Sequence, residues 1–175
     1  MGGMIAQEVA LNHSHRVRTL QLHCTYARPD ACLRARLAAA RAERIALSRE
    51  DALRSTLFWL LARATYNERP EFVEAIVESA LANLYPQSLT GFVRQAEACL
   101  AHDALARLHA VRAPTLVTAA AEDLLVPPAF SREVATHIPA AEFRLIEGAA
   151  HAYFWERADA FNGMCLEFLA AHATA

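Results

Sequence analysis

Two short runs near the end of the chain, residues 115–119 (TLVTA) and 142–146 (EFRLI), flank one helical stretch that opens at Pro127 and Pro128. The first run is apolar and partly β-branched, and the second alternates, so both read as strands. Proline in the first turn of a helix gives up no hydrogen bond and presets φ, so the stretch from Pro128 to about Ile138 reads as a helix. Strands joined through a helical crossover lie parallel, because a tight turn returns the chain the other way. That unit restricts the chain to folds built on a parallel sheet with crossover helices.

The remaining segments fit the same scheme. Residues 4–10 repeat apolar side chains at helical spacing, and residues 17–22 alternate Val and Leu with Arg, Thr and Gln before a break at Pro29 and Asp30. From Asp30 to about Leu108 the pattern is helical throughout, with no convincing strand. Ser48 and Asp51 form a capping-box start, Pro70 opens another helix, and residues 84–87 (LYPQ) separate two more. The chain closes on a helix from Trp155 to Ala171, with Phe161, Cys165, Phe168 and Leu169 on one face. The expected organisation is a core piece at 1–29, a helical insertion at 30–108 and a C-terminal core at 109–175.

Composition narrows the function classes. A net charge of −2 over 175 residues gives no field to gather phosphates, which argues against nucleic acid and anionic membranes as partners. No apolar run is long enough to span a bilayer, and the N-terminus lacks the basic-then-apolar order of a secretory signal, so a cytoplasmic protein is expected. Cys24, Cys32, Cys99 and Cys165 form no C-x-x-C pair and read as reduced core residues.

In an open parallel sheet the reactive groups gather at the carboxyl ends of the strands, where the crossover loops leave. Two loops qualify. Residues 120–127 (AAEDLLVP) place Asp123 just past one strand, and residues 147–151 (EGAAH) place His151 just past the next. Alone, Asp123 reads equally as a helix cap and His151 as a loop histidine. Together they read as a catalytic pair, in which a carboxylate fixes the imidazole tautomer and steadies the imidazolium formed during proton transfer.

These residues are similar to a known family. The opening MGGMIAQEVAL resembles the segment that follows the nucleophilic serine in α/β-hydrolases, where an elbow G-x-S-x-G leads directly into a helix. Residues 114–117 (PTLV), the acid loop, Ile138 with Pro139, and residues 148–156 (GAAHAYFWE) resemble the last third of that family. Two departures stand out: Ala120 and Ala150 occupy positions where the family usually carries glycine. The resemblance implies an incomplete α/β-hydrolase fold with three parallel strands, crossover helices and a helical lid at 30–108. It implies Asp123 and His151 as the second and third members of a Ser-Asp-His chain order, with the serine just upstream of Met1. Met1 then holds the oxyanion-hole position after that serine.

Further expectations follow from the resemblance. The substrate class is a small carboxylic ester or lactone, as in esterases, enol-lactone hydrolases and cofactor-free haloperoxidases, and no cofactor is required. The chain by itself is expected to be inactive. The first helix (Met4, Ile5, Val9) and one sheet edge are expected to lie open, calling for an N-terminal segment or self-association through that edge. The rivals are a non-catalytic, partner-binding remnant and a family member running lyase or halide chemistry.

Trp59, Tyr66, Tyr153, Phe154 and Trp155 are candidates to line the substrate pocket. Lid aromatics in general (Phe58, Phe72, Tyr85 and Phe92 among them) read more readily as core. His13 and His15 lack a third ligand at any recognisable spacing, so no metal site is assigned. His102 with Asp103, and the charges between Arg34 and Arg44, read as solvated helical faces.

Overall fold

The computed structural model describes residues 1–173. Three strands, β1 (Leu20–His23), β2 (Thr115–Ala120) and β3 (Glu142–Ile146), form one parallel sheet in the order β1-β2-β3. Helix α1 (Gly2–Asn12) precedes β1, and α2 (Ala31–Ala46), α3 (Arg49–Leu60), α4 (Arg63–Glu68), α5 (Pro70–Leu81) and α6 (Leu89–Ala101) lie between β1 and β2. Helix α7 (Pro128–His137) crosses from β2 to β3, and α8 (Tyr153–Glu156) and α9 (Ala158–Ala171) close the chain.

Strand β2 is central, and all six of its residues are buried, which is why it reads as an apolar run rather than an alternation. Its register, Leu22 beside Val117 and Val117 beside Phe143, sets the two outer strands. Leu20, Leu22, Leu108, Val117, Val134 and Ile138 form the core beneath α1 and α7. Each such side chain removed from water contributes about 1.5–3 kcal/mol. Among the described residues β1 and β3 each pair on one side only. Met4 packs with Tyr26, Leu33 and Val126, whereas Ile5 and Val9 of the same helix are exposed.

Local capping explains the helical block. Asp30 accepts from Leu33 N–H at 2.8 Å, and Ser88 from Gly91 N–H at 3.0 Å. Ser48 Oγ accepts from Asp51 N–H at 3.0 Å and donates to the Asp51 carboxylate at 2.6 Å. Leu57, Leu61, Val73 and Val77 make a second small core, joined by Ala152 from the C-terminal part.

Several expectations are corrected. The first strand begins at Leu20 rather than Val17, because residues 14–16 form a tight 3₁₀ turn that uses Val17 N–H. The terminal helix is two helices: Arg157 leaves helical geometry (φ −137°), and its guanidinium holds the Gly148 carbonyl. Leu169 lies exposed while Phe168 is buried. Of the lid aromatics, Phe58 and Tyr85 face solvent rather than forming core, while Trp59, Tyr66, Phe72 and Phe92 are half-buried around an aliphatic interior. Arg36 is not solvated: it pairs with Glu43 at 3.0 Å and stacks over the Trp59 ring. His102 is packed against Gln7 at 3.3 Å rather than displayed on a helix. Cys32 is exposed, while Cys24 is buried and Cys99 and Cys165 are half-buried. No helix among the described residues is long and apolar enough to cross a membrane.

Candidate active site

The carboxyl ends of all three strands meet at one rim. After β2 the chain turns through residues 121–123, with Ala121 N–H donating to Ile146 O and Glu122 N–H to Ala149 O, both at 2.9 Å. Those two bonds tie the loop after β2 to the loop after β3. Asp123 Oδ1 accepts from Leu125 N–H at 2.9 Å and Val126 N–H at 2.8 Å, an Asx-type turn that fixes the carboxyl group. The N-cap of α7 is Pro127, so Asp123 does not cap that helix.

The second carboxylate oxygen of Asp123 lies 2.8 Å from His151 Nδ1. The Asp123 side chain has no exposed surface, whereas 23% of His151 reaches solvent. A carboxylate at Nδ1 holds the proton on that nitrogen and leaves Nε2 as the basic one. The loop carrying His151 is shaped by Gly148, whose φ of +60° suits glycine, and by Arg157, which donates to the Gly148 carbonyl at 2.8 and 3.2 Å. Ala120 and Ala150 are almost fully buried and neither takes a positive φ, so a methyl group is accommodated at both positions.

Cys24, directly after β1, completes the rim. Its thiol sulfur, an Asp123 oxygen and a His151 nitrogen all lie within 4.8 Å of one another. Burial and the neighbouring Asp123 charge push the thiol well above the ordinary range, so it stays protonated and does not act as a thiolate nucleophile. The three groups lie as close as metal ligands do, but a protonated thiol and a carboxylate already bonded to the imidazole form a hydrogen-bonded cluster rather than a ligand set. Cys24 is a reduced core residue, as its sequence surroundings imply, and it also borders the site. Its position immediately after a strand was the signal that separates it from the other cysteines.

A second layer lies beneath the rim. Tyr153 is buried, its hydroxyl bonded to Thr118 Oγ1 and 3.1 Å from His23 Nδ1, which in turn lies 2.8 Å from Thr118 Oγ1. Burial pulls His23 down to about 4 and keeps it neutral. The other candidates separate. Trp59 lines a cavity of about 710 Å³ with Leu33, Arg36, Leu124, Leu125 and Phe130. Phe154 and Trp155 line another, of about 810 Å³, with Phe72 and Ile76. Tyr66 packs against the small lid core. Met1 is the N-cap of α1, its carbonyl accepting from Met4 and Ile5 N–H at 3.0 and 3.2 Å.

Comparison with known proteins agrees with this architecture. The family described as serine aminopeptidase, S33, matches over residues 1–158. A protein of Azorhizobium caulinodans described as carbamate hydrolase RutD is 32% identical over 168 residues, covering 96% of this chain and 63% of the relative. The solved structure of the enol-lactonase from Burkholderia xenovorans LB400 superposes with a TM-score of 0.82 at 26% identity, over 97% of this chain and 63% of that one. The structure described as non-heme bromoperoxidase BpoC from Mycobacterium tuberculosis H37Rv gives 0.85 at 26% identity, over 97% and 64%. The chain thus spans a little under two thirds of the length of these relatives.

Proposed function

Since the chain belongs to the serine aminopeptidase S33 family of α/β-hydrolases, we propose that it forms the acid-and-base part of a serine hydrolase acting on small carboxylic esters or lactones. The observation that carries this reading is the bond between the buried Asp123 carboxylate and His151 Nδ1, at the rim where three strand ends converge.

The nucleophile in this proposal is a serine in the part of the relatives' length that this chain does not span, placed immediately before Met1. His151 Nε2 takes the serine proton as the oxygen attacks the acyl carbon, then gives that proton to the departing alcohol. It next draws a proton from water as the water oxygen attacks the acyl carbon, and gives that proton to the serine oxygen as the acyl–serine bond breaks and the acid leaves, while Asp123 remains ionised throughout. The exposed Ile5 and Val9 and the open side of β1 support the same upstream segment as their cover.

Hydrolysis of nitrophenyl acetate tests the assignment. The 175-residue chain should be inert. The chain joined at Met1 to the nucleophile-bearing N-terminal part of the enol-lactonase should turn the ester over and lose that activity on His151→Ala. Hydrolysis by the chain alone, abolished by His151→Ala, contradicts the upstream serine.

A further inference from the structure

We propose that Glu156 is a positioning residue that joins the helical insertion to the loop carrying His151, so that the α3–α4 junction sets where the imidazole stands. Glu156 uses both carboxylate oxygens for this. Oε1 accepts from Ala62 N–H at 2.7 Å and from the Thr65 hydroxyl at 2.5 Å, both on the insertion. Oε2 accepts from Ala150 N–H at 3.1 Å, one residue before His151. On the other side of His151, Ala152 N–H donates to the carbonyl of Leu60, the last residue of α3, at 2.8 Å. The histidine is therefore held between two residues, each tied to the same short stretch of the insertion. Arg69, at the far end of α4, donates to the Glu156 carbonyl at 3.1 Å and braces the joint from behind.

Ala62, Thr65 and Ala150 are all buried. Water cannot replace the carboxylate there without opening the structure, and each orphaned donor carries a desolvation cost. A shift of the α3–α4 junction would bear on both sides of His151 together, through Glu156 and through Leu60. The inference rests on His151 being the base. The tautomer of the unaltered chain tests that premise separately, so the two can fail independently.

The test is NMR on the 175-residue chain, comparing Glu156→Gln and the milder Thr65→Val with the unaltered chain. Glu156→Gln should raise hydrogen exchange at both the Ala62 and Ala150 amides by about tenfold or more, with Leu116 and Val117 in β2 unchanged. Both variants should move the His151 Nδ1–H resonance, Thr65→Val by less. A His151 resonance indifferent to both variants makes Glu156 a local brace and overturns the proposal. So does a rise confined to one of the two amides. If Glu156→Gln unfolds the chain, Thr65→Val decides alone: a shifted His151 signal supports the joint, and an unmoved one rejects it.

Discussion

Asp123 and His151 meet at 2.8 Å although they lie 28 positions apart in the chain, because each sits in the loop that leaves the carboxyl end of one of two paired parallel strands. The pair is positioned by backbone on both sides. Two N–H groups clamp the Asp123 carboxylate, and Glu122 N–H ties that loop to Ala149, two residues before the histidine.

Gly3 marks where α1 approaches the loop after β1. A β-carbon there would lie 2.5 Å from Thr25 Oγ1 and 2.7 Å from its Cβ, whereas one at Gly2 meets nothing within 4 Å. Gly3→Ala should destabilise the chain by about 1–3 kcal/mol through overpacking. Gly2→Ala should be neutral or slightly stabilising. Urea denaturation of the two variants side by side checks the contrast, and equal midpoints would refute the close approach.

Burial holds His23 at about 4 in the folded chain, below its ordinary value of 6.5. A histidine with a depressed folded value is neutral in both states above 6.5, so its contribution to stability is then fully present. As pH falls from 6.5 towards 4 the unfolded chain takes up the proton first, and stability declines by up to about 3 kcal/mol. Below 4 both states are protonated and the loss levels off. His102 is lowered in the same direction by burial, so His23→Gln should remove only part of the slope. Unfolding free energies at pH 7, 5.5 and 4.5 for the chain and the variant measure that part.

The cysteines should separate by reactivity. Cys32 is exposed, while Cys24 is buried beside Asp123 with its thiol pushed up. An aromatic disulfide reagent should label Cys32 first and reach Cys24 only on unfolding. Mass spectrometry of briefly treated chain reads this directly, and early labelling at Cys24 would mean that the rim is open.

What was legible in the sequence was written in local signals. Ser48 satisfies an N–H three residues on, and Pro70 and Pro128 begin helices, as their sequence positions imply, whereas the equivalent caps at Asp30 and Ser88 appear only in the structure. Asp123 and His151 were visible because each lies in the short loop that leaves the end of a strand. What was hidden depended on distant partners. Glu156 closes the run GAAHAYFWE that carries part of the resemblance, but it bonds to residues 94 and 91 positions earlier, and no local spacing announces those partners. Arg36 looked like one charge among many until Glu43 and the Trp59 ring removed it from solvent. Cys24 is chemically an ordinary small apolar residue. Only the convergence of three strand ends gives it charged neighbours.

The pairing of Asp123 with His151 is tested most directly by nitrogen-15 NMR of the His151 ring at alkaline pH, on the chain as it stands. The account predicts a neutral imidazole protonated at Nδ1, with Nε2 showing the shift of an unprotonated nitrogen, and a reversal of that tautomer in Asp123→Asn. A ring protonated at Nε2 in the unaltered chain, or one unaffected by Asp123→Asn, would contradict it.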